Sequence, residues 1–234
     1  MKLSVFIILM TGAFLNQVSV HAQTYAVKKI PGHVMQITGK GENKAWNKAN
    51  VLTDFSFPWE MEKAPATSFS ALWDGEWLYC LYHVQDDSVI TLVNKNDKIE
   101  VGASDRVEIF MARVSAMTPY YCLELDATGR VLDYKASYYR KMDYTWQWPH
   151  KQFIIKTAVS KDGYIVEIAI SIQSLKDLGL LQNNHLLTGL FRAEGKSIRN
   201  GKADLRWISW IKPNSVNPDF HIYSAFGTLV LEVK

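Results

Sequence analysis

Two carboxylates and an arginine stand where a strand facing the core would not normally place them. In Asp105-Arg106-Val107-Glu108-Ile109-Phe110-Met111 the residues alternate with a period of two. Val107, Ile109 and Met111 therefore share one face, and Arg106, Glu108 and Phe110 share the other. The stretch Tyr120-Tyr121-Cys122-Leu123-Glu124-Leu125-Asp126 repeats the pattern, with Glu124 and Asp126 opposite Leu123 and Leu125. Joined by a loop that holds Pro119, the two read as an antiparallel pair with one face in the core and carboxylates among apolar neighbours on the other. Carboxylates so placed can hydrogen-bond a polar ligand or close an ion pair with Arg106 or Arg192. At roughly 5 to 9.5 Å apart they could also work as a general acid with a nucleophile or base.

A second kind of chemistry comes from flat rings. All eight tryptophans follow residue 22, and the segment Tyr138-Tyr139-Arg140-Lys141-Met142-Asp143-Tyr144-Thr145-Trp146-Gln147-Trp148-Pro149 is dense in aromatics. If Trp146 and Trp148 are locally extended they project the same way; the competing reading is that they roof one end of the core. Trp210 is open between the same two readings, whereas Trp46, Trp73 and Trp207 read as core. An aromatic face beside fixed polar groups suits the apolar C–H side and the hydroxyls of a pyranose.

The elements that must position these groups are mostly short strands. Val34 to Thr38, Thr67 to Trp73, Trp77 to Val84, Phe153 to Ser160, Tyr164 to Ser171, Leu186 to Glu194, Leu205 to Trp210 and Phe226 to Val233 read as strands. Asp74-Gly75 and Asp162-Gly163 supply tight hairpins. Lys44 to Lys48 reads as a helical turn, and Ile172 to Leu178 as the single helix, capped by Gly179. So many short strands with so little helix indicate an all-β, antiparallel β-sandwich with one short helix.

Residues 1–22 combine an early Lys2, an apolar run from Leu3 and a Val20-His21-Ala22 ending, the pattern of a secretory signal peptide cleaved before Gln23. The expectation is a single domain over 23–234, exported to the periplasm or beyond. Without Lys2 there are 25 basic side chains against 23 acidic. That near balance, scattered along the chain, argues against nucleic acid and anionic membrane as partners. Cys80 and Cys122 read as buried free thiols, on the assumption that the Asp105 strand separates their strands within one sheet. Zinc spacing, a phosphate-binding glycine loop and a serine nucleophile elbow are all missing.

In order and spacing, several motifs together resemble family 9 carbohydrate-binding modules. They are Ile37-Thr38-Gly39-Lys40 with Ala45-Trp46, Trp73-Asp74-Gly75-Glu76-Trp77, Asp105-Arg106-Val107-Glu108-Ile109-Phe110, Asp162-Gly163-Tyr164, Ile208-Ser209-Trp210 and Phe226-Gly227-Thr228-Leu229. The resemblance covers roughly Val34 to Val233. It implies a sandwich related to DOMON domains, binding of oligo- or polysaccharide, and association with glycan-degrading enzymes. Glu108 matches the glutamate that hydrogen-bonds sugar hydroxyls, and Phe220 takes the place of a stacking tryptophan. The sequence departs from the pattern at Gly102, where a second stacking tryptophan is expected, and at Glu124, where the family carries an arginine.

The expected site is thus Glu108, Phe220, Trp146, Trp148, Trp210, Arg192, Arg106 and Glu124, with no required cofactor. Structural calcium, held in some family 9 modules, would fall to Asp86, Asp87 and Asp97 as hard oxygen ligands. Two other classes stand beside carbohydrate binding. One is a glycoside hydrolase using Glu108 and Glu124. The other is a haem-binding DOMON relative with Met111, Met117, His83 or His221 as axial ligands.

Overall fold

The computed structural model describes residues 23–95, 97–200 and 202–233; the proposed signal peptide lies outside them. The strands in chain order are β1 (Thr24–Lys29), β2 (Val51–Leu52), β3 (Thr67–Trp73), β4 (Trp77–Gln85), β5 (Arg106–Ala112), β6 (Tyr120–Asp126) and β7 (Val131–Ser137). They continue with β8 (Lys141–Asp143), β9 (Phe153–Ser160), β10 (Gly163–Ser171), β11 (Leu181–Gln182), β12 (His185–Arg199), β13 (Lys202–Ser209) and β14 (Gly227–Leu231). The helix α1 (Ile172–Asp177) is joined by 3-10 turns at Lys44–Lys48, Lys98–Ala103 and Tyr223–Ala225.

Two layers pack face to face, as the sequence predicts. The order β8-β7-β6-β5-β12-β14-β1 forms the first, with β11 and β13 also pairing with β12, and β1-β3-β4-β10-β9 forms the second. Strand β1 belongs to both. Its first four residues run parallel to β14, and Lys28 and Lys29 then run parallel to β3. These parallel pairings correct the expectation of a wholly antiparallel sandwich. Such a corner strand removes one open edge from each layer.

Between the layers lies the main core. Val107, Ile109, Met111, Leu123 and Leu190 from the first meet Phe69, Cys80, Tyr82, Val166 and Ile168 from the second. Fully burying side chains of this size contributes about 1.5–3 kcal/mol each. The outer faces are covered as well. On the second layer, Glu167 holds the incoming N-terminal segment, accepting hydrogen bonds from the Thr38 and Gly39 N–H groups and from Trp46 Nε1. Val34 to Thr38, expected as a strand, is irregular there, with the Thr38 N–H and hydroxyl turned to that buried carboxylate. On the first layer the outer face carries a second apolar cluster that includes Phe110, Tyr134, Phe191, Phe220 and Phe226.

Both Asp-Gly hairpins form. Asp74 Oδ1 accepts from the N–H groups of Glu76 and Trp77. Gly163 has φ 137°, and a Cβ there would sit 1.9 Å from the Val84 carbonyl oxygen, so no other residue fits. Cys80 and Cys122 are free and buried, and burial pushes both thiols up. The reason differs from the one expected. Cys80 belongs to β4 and the inter-layer core, whereas Cys122 faces outward from β6 in the other layer.

Candidate functional site

Directly opposed residues build the floor of the site. In the β5–β6 register Glu108 lies across from Glu124, and on the other flank of β5 it lies across from Phe191 of β12. Arg106, two residues earlier on β5, sits on the same outer face and reaches both acids. Its Nη2 is 2.8 Å from Glu108 Oε1, and its Nε is 2.7 Å from Glu124 Oε2. Arg106 Nη1 donates to the carbonyls of Gly102 and Ser104. Glu124 Oε1 accepts from the Tyr134 hydroxyl at 2.8 Å. Glu108 Oε1, though ion-paired, has no donor aligned on it as a hydrogen bond among the described residues. An oxygen of that kind is costly to leave buried and is ready for a ligand hydroxyl.

The charges shape one another. Burial pushes the Glu108 carboxyl up, Arg106 pulls it down, and Glu124 adds to the rise, so that the net direction is upward. For Arg106 burial acts to lower the pKa, but Glu124 and Glu108 outweigh it and the guanidinium stays charged.

Above this floor lies a cavity of about 170 Å³. Phe110, Trp207 and Phe220 supply its apolar wall, and Arg140, Asp219 and His221 its rim. Phe220 stacks on Phe191 with ring centroids 4.0 Å apart, and Trp207 meets it edge-on at 5.8 Å. The Arg106 guanidinium lies over the Trp207 ring at 5.5 Å. The segment from Asn214 to Ala225, which carries Phe220, is tied down from two sides. Trp59 Nε1 donates to the Ser215 carbonyl, and Asp219 accepts from Arg140 Nη2, the Tyr139 hydroxyl and the His221 N–H. Burial would raise the Asp219 pKa, but those three partners hold it below the usual carboxylate range. His221 is paired with the Tyr120 hydroxyl at 2.9 Å, and burial lowers its pKa to about 4.

Of the residues singled out from the sequence, Arg106, Glu108, Glu124 and Phe220 come together in this cavity. The other four do not. Arg192 is opposite Val107, on the inward face of β12, where it bridges the layers to Asp86 at 2.9 Å and to the Thr67 hydroxyl at 3.1 Å. It is fully buried and turned away from Glu108. Trp148 is buried with its Nε1 donating to Ser174 Oγ, and Trp146 packs against Tyr121 and Trp148 at the edge of the inter-layer core. Trp210 is part of that same core. All three rings are thus core or its roof: Trp210 follows β13 with its N–H bonded to the Leu190 carbonyl, and the loop that carries Trp146 and Trp148 is drawn in by Asp133. One of its oxygens accepts from the Trp148 N–H and the other pairs with Lys98.

Trp207, which the sequence reads as core, lines the cavity. The signal was its immediate neighbour. Ile208 is completely buried under Phe57 and Ala64, so period-two alternation sends Trp207 to the opposite face of β13.

The model of the carbohydrate family 9 binding domain-like family matches residues 37–234. The chain belongs to that family. Among curated proteins none matches. Solved structures match the fold of this family 9 domain over nearly its whole length. A Bacteroides uniformis protein described as a candidate carbohydrate-binding protein has a TM-score of 0.73 at 17% identity, covering 90% of this chain and 100% of its own. A family 9 carbohydrate-binding module from Caldicellulosiruptor kristjanssonii in complex with cellotriose has a TM-score of 0.58 at 19% identity, with coverage of 91% and 95%. The same organism's module in complex with glucose gives 0.57 at 19%, covering 91% and 97%.

Within this family 9 domain, Gly102 leaves open ground beside Arg106. A Cβ there would touch only Leu132, at 3.6 Å. Two of the three residues considered for calcium have other partners. Asp86 pairs with Arg192 and accepts from the Ser88 N–H, and Asp97 caps the turn Lys98–Ala103. No group of three His, Cys, Asp or Glu placed to hold a metal occurs among the described residues. The residues considered as haem ligands divide between the two layers and between the two sides of the first, His221 lying at the cavity against Phe110 and Tyr120. Met111 lies in the inter-layer core, Met117 in the outer cluster, and His83 on β4. Nor is any helix among the described residues long and apolar enough to cross a membrane.

Proposed function

We propose that this protein binds a neutral carbohydrate in the cavity over Glu108 and Glu124 and does not cleave it. One observation carries the reading: a single guanidinium, that of Arg106, clamps two opposed carboxylates beneath the Trp207 and Phe220 rings. The carboxylates present acceptors to ring hydroxyls, and the rings present an apolar wall to C–H groups. A cavity of about 170 Å³ is well below the roughly 300–1,000 Å³ of sites for drug-sized ligands, and suits one sugar unit. The C. kristjanssonii structures hold neutral sugars, cellotriose in one and glucose, a single unit, in the other.

Neutrality follows from the charge count around the cavity. Arg106 is shared between two acids, and Arg140 is paired with Asp219. Among the described residues that line the cavity, no guanidinium is left over for a uronate. Against hydrolysis stands the placement of the two acids. Glu108 and Glu124 are neighbours on one wall, clamped by the same arginine, which disfavours a glycosidic bond lying between them as it lies between catalytic carboxylates. Export after cleavage near Gln23, and work beside glycan-degrading enzymes, complete the proposal.

The test is calorimetric titration of the wild-type protein with glucose, cellotriose, xylotriose, mannotriose and galacturonate, alongside an assay for released reducing sugar. Saturable binding of a neutral sugar, lost in Glu108→Ala, with no sugar release, is the expected result. Enzyme-dependent release that vanishes in Glu108→Ala would replace this reading with the hydrolase.

A further inference from the structure

A second recess lies beside the cavity. Tyr138 and Tyr223 flank a groove of about 360 Å³ floored by Ile222, and Ser115, Asn214 and Ser224 place polar groups along it. Tyr138 and Tyr223 are 53% and 47% exposed as residues and belong to neither of the large core clusters. Tyr223 stands on the tied-down segment Asn214 to Ala225, and Tyr138 directly precedes Tyr139, whose hydroxyl is held by Asp219.

We propose that this groove is a second subsite, which holds sugar units that follow the one in the cavity, so that the protein reads an oligosaccharide segment instead of a single sugar. The proposal rests on the cavity being the sugar site. Continuity between the two recesses supports it. Only two short stretches separate them. In the first, Tyr138 lines the groove and Arg140 lines the cavity; between them Tyr139 packs 5.3 Å from Tyr138 and donates its hydroxyl to Asp219. In the second, Asp219 and His221 face the cavity while Ile222 and Tyr223 face the groove.

The scale agrees as well. Phe110 in the cavity and Ser115 on the groove are five residues apart, at most about 17 Å along an extended chain, within reach of a short oligosaccharide. Its chemistry is that of a sugar subsite, with exposed ring faces for the C–H side of a pyranose and hydroxyl and amide groups for its edge. The groove has no ionised side chain among its lining residues, which matches the neutral ligand of the cavity.

The experiment compares affinity with chain length. Glucose, xylose and mannose, and their β-1,4-linked oligomers up to six units, are titrated into wild-type protein, Tyr223→Ala, Tyr138→Ala and Glu108→Ala. For the series that binds, wild-type affinity should rise about tenfold or more from one unit to six. Tyr223→Ala and Tyr138→Ala should each remove most of that rise and leave the single-sugar affinity as it was. Glu108→Ala should weaken every length by the same factor. Affinity independent of length, or tyrosine variants that weaken one unit and six alike, overturns the second subsite and leaves the cavity reading standing. Wild-type protein that binds no member of the three series overturns both. Length-independent sugar binding together with self-association that disappears in Tyr223→Ala would make the tyrosine pair a protein contact instead.

Discussion

Glu108 and Glu124 face each other directly across β5 and β6, and the Arg106 guanidinium makes an ion pair with each. Two like charges this close, with almost no exposure to water, cannot both ionise cheaply without the cation between them. The arrangement gives a ligand acceptor oxygens held rigidly in place. It also makes the site sensitive to the protonation of Glu108.

The first expectation is a pH-dependent mutant effect on binding. Glu108, whose carboxyl is pushed up to about 8 by burial and by Glu124 against Arg106, is ionised at pH 9 and presents acceptors only. Glu108→Gln exchanges one acceptor for a donor and should weaken sugar binding by about 1–3 kcal/mol at that pH. At pH 6 the wild-type acid already carries a proton, and the gap should shrink. Calorimetry at the two pH values decides it; an equal loss at both would show that Glu108 does not titrate in this range.

Stability should follow the same groups. Both Glu108 and Asp105, the latter raised to about 7 chiefly by burial, have folded pKa values above those of the unfolded chain. Their stabilisation is complete below the unfolded values and is lost as pH rises through the folded ones. His221 acts the other way. Lowered by burial to about 4, it costs stability only as pH falls below its unfolded value of roughly 6.5. Between pH 7 and 8 the carboxylates alone remain, so unfolding free energy should fall with rising pH, by at most about 1.4 kcal/mol per unit for each proton involved. Urea titrations should show that slope in the wild type and a flatter one in Glu108→Gln.

Asp105 offers a test of the fold separate from the site. Its Oδ1 accepts from the Gly195 N–H and its Oδ2 from the Ile90 N–H, which ties β12 to the loop ahead of β5. An asparagine can serve only one of these donors and sets its own N–H₂ against the other. Asp105→Asn should therefore lower stability by about 1–3 kcal/mol, read as a lower urea midpoint at unchanged slope. A midpoint within error of the wild type would mean the loop finds another acceptor.

How much of this could be read from the sequence depended on whether charged residues mark one face of a strand by alternation. On β5 and β6 the charged residues mark the outer face, and Arg106, Glu108 and Glu124 fell into place by alternation alone. On β12 the run Leu190-Phe191-Arg192-Ala193 has one charge among apolar residues on both faces, so the pattern gives no sign of which side Arg192 takes. The aromatic loop failed for another reason. What decides whether Trp146 and Trp148 face water or the core is the Asp133–Lys98 anchor, a contact distant in sequence with no local signature. The same holds for β1, whose two parallel pairings depend on partners some 45 and 200 residues away. Hairpins and the helix cap, which are local, were found where Asp74-Gly75, Asp162-Gly163 and Gly179 stand.

Gly102 provides the sharpest test of where the sugar sits. Its carbonyl accepts from Arg106 Nη1 at 2.9 Å, which puts the residue beside the cavity floor, and a Cβ there meets only Leu132 at an ordinary contact distance. Its backbone is not in the left-handed region that would demand glycine. A tryptophan at this point can thus enter without breaking the turn Lys98–Ala103, and it would stand where the family resemblance expects a stacking ring. If the pyranose lies over Glu108 with one face toward Phe220 and Trp207, the new indole should cover the face left open. Gly102→Trp should then tighten binding by about 1 kcal/mol, roughly fivefold, with little change in stability. Calorimetry with the best-bound neutral sugar measures the gain. Unchanged affinity in a folded variant would place the sugar away from the Arg106 side of the cavity.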